Sequence, residues 1–205
     1  MHDDLYEAHA ICTKLMPFLH LPVQSGSNNV LKLMNRKHER DEYFKIIEKL
    51  RVARSDIGLS SDFIVGFPGE SEQDFLDTID LVKTIKFAQC YSFKYSIRPG
   101  TPAALKDNQI AENIKNERLQ ILQKLLNQQQ HDFNKQFENR ILPILFDRNN
   151  QTQSIGKSPY LQSVYLDHHP DLHNKILPVK ITHAGPHSLK GCLLYTSDAA
   201  DDTRS

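Results

Sequence analysis

Residues Leu59–Glu70 read LSSDFIVGFPGE, and this stretch decides how the first half of the chain folds. Phe63–Val65 is an apolar run that predicts a buried strand, and the GFPG that follows it stops the strand abruptly. Ser71 then predicts a helix N-cap, with Asp74 as its capping-box partner. A strand, a tight turn and a helix in close succession are typical of a parallel α/β fold.

Two further strands and several helices are predicted around this stretch. Phe18–Val23 predicts a strand upstream, and Cys90–Ser96 predicts one downstream. In the downstream strand Tyr91, Phe93 and Tyr95 alternate with smaller residues, and we expect them in the core rather than as base-stacking residues. Four helices are predicted. One begins at Asn29, and a second is capped by Asp41 and buries Tyr43, Ile47 and Leu50. The helix after Ser71 buries Phe75, Ile79 and Val82, and a long helix from Ile110 to Phe137 has Ile114, Ile121, Leu125 and Phe133 near one face.

Three loops are predicted to meet at one edge of this sheet. Parallel strands place their carboxyl ends together, and ligand sites in such folds lie at that edge. The loops are Gln24–Asn29, Gly66–Glu70 and Ser96–Thr101, and their compositions are the most unusual in the first half of the chain. We therefore expect one binding site formed by all three loops.

The second half of the chain predicts a different architecture. After Phe137, the short runs RILPILFD, YLQSVYLD and KILPVKIT alternate with the polar turns RNNQTQSIGKSP, HHPDLHN and HAGPHS. Short strands at this spacing predict a small all-β barrel that begins near Glu138. Its basic residues modestly outnumber its acids, so its surface either binds RNA phosphates or is simply solvated; Lys157 is the best candidate for a phosphate contact.

Composition excludes several functional classes. The chain has 205 residues, of which 39% are hydrophobic and 24% charged, and its formal net charge is zero, so any nucleic-acid site must be a local one. Cys12, Cys90 and Cys192 are far apart, which argues against a disulfide framework and favours buried or incidental thiols in a reducing compartment. No apolar run reaches the length of a membrane span and no signal peptide is recognised, so a cytoplasmic location is expected.

Three motifs together resemble those of the radical-SAM methylthiotransferases. They are HLPVQSGS with the following LMNR, SDFIVGFPGE, and YSIRPGTPAA, and the resemblance runs from Asp3 to Gly191. The closest resemblance is to the type that acts on isopentenylated adenosine beside the tRNA anticodon. The types that act on threonylcarbamoyladenosine in tRNA or on a ribosomal protein are alternatives, and so is a non-catalytic RNA-binding protein.

The resemblance implies the fold, the cofactors and the partner. Residues 1–137 would form the C-terminal half of a radical-SAM partial TIM barrel, and residues 138–191 a small TRAM-like or OB-like β-barrel that binds RNA. The full-length enzyme would use S-adenosylmethionine and two 4Fe–4S clusters, and its partner would be tRNA, bound at the anticodon stem-loop; a monomer is expected.

The chain departs from the family pattern at both ends. It has no C-x-x-x-C-x-x-C motif, so about the front half of the enzyme is missing and this chain alone is expected to be inactive. Residues 192–205, CLLYTSDAADDTRS, are unlike the family and are expected to be a foreign, disordered tail.

The resemblance also implies roles for individual residues. The S-adenosylmethionine site would be formed by Gln24, Ser25, Ser27 and Arg36 and by the backbone of Ile64, Val65 and Gly66. Asp62 would be an active-site carboxylate or a capping group, and His20 a catalytic or a core histidine. Arg36 is either a clamp for an anion or a surface cation. RNA would contact Arg98, Thr101, Lys157 and Lys180, with closure of the barrel mouth as the alternative role of Arg98 and Thr101. No metal ligand is expected, because a polar hairpin loop explains the histidines of HHPDLH.

Overall fold

Three parallel strands form the sheet of the first half of the chain. In the computed structural model, which describes residues 2–194, β1 (Phe18–His20), β2 (Gly58–Val65) and β3 (Gln89–Lys94) lie side by side in that order. The helices are α1 (Asp3–Ile11), α2 (Asn28–Leu33), α3 (Arg40–Ala53), α4 (Glu72–Ile85) and α5 (Glu112–Lys135), with a short 3-10 helix at Pro102–Leu105. Both strand pairs are parallel, which confirms the predicted strand–helix–strand arrangement.

The core of this unit lies on one face of β2. Phe63 and Val65 are fully buried there. The apolar stripes that were predicted for α3 and α4 are buried in the same core; their residues are Tyr43, Ile47, Leu50, Phe75, Ile79 and Val82. The alternate residues of β2, Asp62 and Ile64, point to the opposite face and stay partly exposed.

The helix starts follow capping chemistry, with one correction to the prediction. Ser71 and Asp74 form the predicted capping box at the start of α4. Asp41 is not the N-cap of α3, because the helix begins at Arg40 and Glu39 caps it in a reciprocal capping box with Glu42. Asp41 lies instead in the first turn, where its negative charge still interacts favourably with the helix dipole.

β1 is shorter than the predicted strand Phe18–Val23, and Pro22 explains the difference. Proline has no N–H to donate to a ladder. The hydroxyl of Ser61 on β2 accepts from the N–H of Val23 (3.0 Å) and donates to the carbonyl of Leu21 (3.0 Å). The ladder resumes at Gln24, whose N–H donates to the carbonyl of Asp62 (2.9 Å).

The buried face of α5 differs from the predicted one. Ile114 and Ile121 are 39% and 46% exposed, so their placement on the buried stripe was wrong. The buried residues of this helix in the first unit are Lys115, Arg118, Leu122 and Leu126. The apolar periodicity predicted the wrong face because two of the buried residues, Lys115 and Arg118, are charged, and a hydrophobicity pattern places charged residues on the exposed face.

The second unit contains the predicted small barrel. The barrel is closed, with strand order β4-β5-β6-β8-β7, where β4 is Ile141–Asn149, β5 Gln153–Lys157, β6 Ser163–Asp167, β7 Ile176–Ala184 and β8 Ser188–Leu193. The division between the two units lies within α5, between Gln130 and His131. The predicted boundary between residues 137 and 138 follows this helix and stays a prediction.

Two barrel strands were missed because their inward positions include small or polar residues. β5 lies in RNNQTQSIGKSP, which was predicted to be a turn, and it points Ser154 and Gly156 inward. A Cβ atom on Gly156 would come within 2.6 Å of Ile144 Cγ2, so the crowded interior requires glycine there. β8 likewise has a buried glycine, Gly191.

β8 also reaches into the predicted tail. Cys192 pairs in register with Lys180 and Leu193 with Val179, so these two residues are strand rather than tail. The remainder of the predicted tail from residue 195 onward lies outside the described residues. None of the helices within residues 2–194 combines the length and apolar character needed to cross a membrane.

Asp74 connects the starts of α2 and α4. Its carboxylate accepts from the hydroxyl of Ser27, from the amide of Asn29 (3.2 Å), and from the N–H (2.8 Å) and hydroxyl (2.7 Å) of Ser71. Burial opposes ionisation, but these hydrogen bonds outweigh it and lower the pKa of Asp74. Ser27 is itself the N-cap of α2, so one carboxylate fixes both helix starts.

We expect Asp74→Asn to lower the free energy of unfolding by about 1–3 kcal/mol at pH 7, because an amide cannot accept all of these hydrogen bonds. The stabilisation from the lowered pKa is complete above the unfolded pKa near 4 and is lost as the pH falls through the lower folded pKa. Urea unfolding followed by circular dichroism should therefore show a difference from the unmodified chain that shrinks below about pH 4. Asp77→Asn, a partly exposed change on the same helix, is the control and should have little effect. Equal losses in the two variants would contradict this account.

Candidate functional site

A cavity of about 750 Å³ lies at the carboxyl ends of the three parallel strands. Its lining comes from all three loops that the sequence selected, and from the end of α2. The apolar part of the lining is Leu33, Met34, Ile64, Phe67, Phe93, Pro102 and Ala103. Cavities of this size with mostly apolar walls and a few polar groups are typical of small-molecule sites.

Six of the residues predicted from the sequence line this cavity. They are Gln24, Arg36, Asp62, Ile64, Arg98 and Thr101. Ser25, Ser27, Val65 and Gly66 are not among the residues that line it. Lys157 and Lys180 lie in the barrel of the other unit.

Gln24 adopts an unusual backbone conformation at the cavity wall. Its φ of +77° is in the left-handed region, which costs a non-glycine residue on the order of 1–2 kcal/mol. The two hydrogen bonds of its backbone with Asp62 and Ile64 maintain this conformation. The residue is 7% exposed, and no described residue forms a hydrogen bond with its side-chain amide. A strained backbone together with an amide side chain that lines the cavity indicates a ligand contact.

Ser25 and Ser27 have structural roles for their side chains. The hydroxyl of Ser25 bonds with that of Thr78 on α4 (3.2 Å), and the hydroxyl of Ser27 donates to Asp74. The N–H of Gly26, between them, donates to Thr78 (2.9 Å). These contacts hold the loop against α4, so the serines position the cavity wall.

Asp62 lies beside a histidine on the open face of the sheet. His20 Nε2 is 3.5 Å from Asp62 Oδ2, and His20 Nδ1 is 2.9 Å from the hydroxyl of Ser60. The side chain of His20 is 42% exposed, so it is not a core histidine. Asp62 is available to a ligand on one side and is oriented by His20 on the other.

Tyr91 and Phe93 are exposed, which corrects the prediction that they belong to the core. They are 51% and 54% exposed, and Tyr95 is half-buried. Tyr91 pairs in register with Asp62 and Phe93 with Ile64, so both aromatic side chains lie on the open face of the sheet. Alternation along a strand separates two faces but does not show which face helices cover.

The turn after β2 is tightly constrained at Gly66. Its φ is +71°, and a Cβ atom there would come within 2.4 Å of Lys115 Cγ on α5. Its N–H donates to the carboxylate of Glu70. Val65 precedes it on the covered face, where its carbonyl accepts from the N–H of Tyr95 (2.8 Å).

At Ile64 and Gly66 the backbone N–H groups are already bonded, so the backbone can offer a ligand only hydrogen-bond acceptors. The N–H of Ile64 donates to the carbonyl of Gln24 (2.9 Å), and that of Gly66 donates to Glu70. A ligand can therefore contact these two residues through their carbonyl oxygens, which only accept hydrogen bonds. An amino group on the ligand fits such an edge, whereas a keto oxygen does not.

Sequence reasoning missed two residues behind this turn, Glu70 and Arg118. Arg118 on α5 donates to the Glu70 carboxylate (2.9 Å) and to the Glu70 carbonyl (3.1 Å), and also to Glu72 (3.1 Å). Burial raises the pKa of Glu70, although the hydrogen bond from Gly66 and the charge of Arg118 oppose that effect. The GFPGE motif contained the glutamate, but nothing in the sequence identified its distant arginine partner.

The charged groups of the cavity favour an anionic part of a ligand. Arg36 and Arg98 form no ion pair with any described residue, while Lys94 is paired with Glu112. Asp62 is the acidic residue among the lining residues. Two unpaired guanidinium groups can bind a carboxylate or a phosphate in bidentate fashion.

The residues present fit one implied cofactor and not the other. The cavity combines apolar walls, hydrogen-bond acceptors of the backbone and guanidinium groups that donate. This combination suits the adenine, ribose and carboxylate of S-adenosylmethionine. Within residues 2–194, no group of three or more His, Cys, Asp or Glu side chains could hold a metal. Cys12 and Cys192 are exposed, and burial raises the pKa of the Cys90 thiol, so these separate cysteines do not form a ligand set for an iron–sulfur cluster.

The chain is similar to known proteins over most of its length. Residues 3–82 match the family model described as the Radical SAM superfamily. Over nearly all its length the chain is also similar to curated proteins named tRNA-2-methylthio-N(6)-dimethylallyladenosine synthase. It is 60% identical over 194 residues to the one from Rickettsia canadensis, and this alignment covers 93% of the chain and 44% of that relative. It is also 60% identical over 198 residues to those from Rickettsia typhi and Rickettsia prowazekii, which covers 95% of this chain and 44% of each relative. The chain thus spans less than half the length of the relatives it matches.

Gly66→Ala should lower the free energy of unfolding by about 2–4 kcal/mol, because the new methyl group meets Lys115 and the positive φ is strained. Gly100→Ala is the matched control: its φ is +82°, but nothing lies within 4 Å of the new Cβ atom, so a loss of about 1 kcal/mol is expected. Urea unfolding of both variants measures the difference. Losses of the same size would show that α5 does not constrain the turn.

Proposed function

We propose that this chain is part of a radical-SAM methylthiotransferase that modifies dimethylallyladenosine in tRNA. The observation that carries the proposal is the cavity, in which six residues selected by the sequence motifs meet at the carboxyl ends of the strands. The names of its relatives, which are similar to nearly the whole chain, supply the substrate. The enzyme of which the chain is a part would act in the cytoplasm on the anticodon stem-loop, as a monomer. The types that modify threonylcarbamoyladenosine or a ribosomal protein are the enzymatic alternatives.

In this proposal the chain's own residues bind and orient S-adenosylmethionine. When bound, that cofactor supplies a deoxyadenosyl radical and a methyl group. The carbonyl oxygen of Ile64, which lines the cavity, accepts from the adenine amine together with that of Gly66 in the turn that follows, and the amide of Gln24 contacts the ribose. Arg36 binds the carboxylate of the methionine part. Ser25, Ser27 and Val65 position these groups from behind the wall.

Two further groups would act on the substrate. Asp62, oriented by His20, is the carboxylate that faces the target base from the open face of the sheet. Arg98 and Thr101 lie in the loop after β3 and line the cavity, where an RNA phosphate would be bound. No step is assigned to an iron–sulfur cluster, since the described residues do not include its thiolate ligands.

The outer face of the barrel supports an RNA-binding role for the second unit. Lys157 on β5 and Lys180 on β7 lie on the two strands that flank β4. Between them, β4 exposes Ile141 and Leu145. Two cations around an exposed apolar strip can bind phosphates while bases or sugars pack on the strip.

The chain should bind S-adenosylhomocysteine in isothermal titration calorimetry, and at least about tenfold more tightly than S-inosylhomocysteine, because a keto oxygen faces carbonyl acceptors in the latter. Gln24→Asn keeps an amide, tolerates the positive φ and shortens the reach, so it should weaken binding about fivefold or more. Gln123→Asn on the exposed surface of α5 is the control and should bind as the unmodified chain does. Absent binding, or equal affinities for the two nucleosides, would overturn the proposed site.

Lys157→Gln and Lys180→Gln should each weaken binding of an anticodon stem-loop RNA and reduce the slope of log affinity against log salt by about 0.7–0.9 per lost phosphate contact. Fluorescence anisotropy at several salt concentrations measures both quantities. Lys83→Gln, an exposed lysine change on α4, is the charge-matched control. Slopes that match the control would remove these lysines from the RNA site, and RNA binding without S-adenosylhomocysteine binding would favour a non-catalytic RNA-binding protein.

A further inference from the structure

The long helix α5 supports the turn after β2 through two residues on adjacent turns. The stem of Lys115 lies so close to Gly66 that only glycine fits there. Arg118, one turn further along, reaches both the carbonyl and the carboxylate of Glu70. The turn is thus fixed from a helix that follows it by more than forty residues in the sequence.

Glu70 transmits this support to the backbone of Gly66. A single carboxylate oxygen, Glu70 Oε2, accepts from the N–H of Gly66 and from Arg118 Nη1. The two charged side chains are almost inaccessible, at 0% exposure for Glu70 and 8% for Arg118. The guanidinium also lies over the ring of Phe75, with 5.5 Å from Cζ to the ring centroid, which limits its movement.

Stability alone is a poor explanation for this ion pair. Among the described residues, none forms a hydrogen bond with Glu70 Oε1 or with Arg118 Nε, although both atoms are buried. A buried ion pair with unsatisfied atoms contributes little net stability, since desolvation offsets its Coulomb attraction. Such a pair does impose a fixed geometry on whatever it contacts, and here it contacts Gly66, which lies in the turn between two lining residues of the cavity, Ile64 and Phe67.

We infer that Glu70 and Arg118 are positioning residues, which hold Gly66 in its left-handed turn so that the carbonyl edge of Ile64–Gly66 meets the adenine amine of the ligand. The inference deepens the proposed function and rests on it for the identity of the ligand. Neither residue lines the cavity, so both act through the backbone of the turn.

The test replaces the whole ion pair. The double variant Glu70→Met with Arg118→Met keeps similar volume and leaves no buried unpaired charge, because Glu72, the other partner of Arg118, is exposed. It should therefore fold, but it has no acceptor for the Gly66 N–H. Arg118→Lys is a milder second variant that keeps the charge and loses the forked geometry. Leu122→Ala is the control, since it removes buried core packing on α5 without touching the turn.

Two readouts separate positioning from mere stability. The amide proton of Gly66, followed by NMR without ligand, should move upfield in both ion-pair variants and stay in place in Leu122→Ala. Affinity for S-adenosylhomocysteine should fall at least about tenfold in the double variant, fall less in Arg118→Lys, and stay within about twofold in Leu122→Ala. An unmoved Gly66 resonance, or a loss of affinity in Leu122→Ala equal to that of the double variant, would overturn the inference. If the unmodified chain binds no S-adenosylhomocysteine, the proposed function fails, and the Gly66 resonance alone then decides whether the pair positions the turn.

Discussion

Helices pack on one face of β2 and leave the other face open, and the remainder of the first unit depends on this asymmetry. Phe63 and Val65 anchor the strand in the core, which forces Asp62 and Ile64 to the opposite side. The register of the parallel sheet then places Tyr91 and Phe93 beside them on the same face. The open face is therefore a consequence of strand geometry, and the cavity lies where that face meets the loops at the carboxyl ends.

The cavity wall is fixed by hydrogen bonds to groups that lie outside it. Ser61 replaces the ladder contacts that Pro22 interrupts, and the chain then turns at Gln24 with a positive φ. Glu70 constrains Gly66 from the other side of the strand end. The backbone that faces a ligand is thus held before binding, which reduces the entropy that binding must overcome.

The sequence predicted those parts of the fold whose signals are local. Buried stripes in α3 and α4, the capping box at Ser71 and the parallel strand order follow from periodicity and turn chemistry. The same reasoning predicted that the three loops form one site, although it could not show that the hydroxyls of Ser25 and Ser27 bond with α4 instead of facing the cavity. Features that depend on residues distant in the sequence could not be predicted. Arg118 and Lys115 are charged, so their helix pattern predicts that they are exposed, but both are buried against the turn after β2. Strand β5 was missed because its own inward positions, Ser154 and Gly156, are polar or small, which a pattern of large apolar residues does not detect.

The central claim is that the edge formed by Ile64 and Gly66 recognises an adenine amine. A crystal structure of this chain with S-adenosylhomocysteine tests it most directly. The account predicts that the adenine N6 amine lies within hydrogen-bond distance of a carbonyl oxygen of this edge, with the methionine carboxylate toward Arg36. Adenine bound elsewhere, or bound in this cavity with its amine directed away from that edge, would contradict the account.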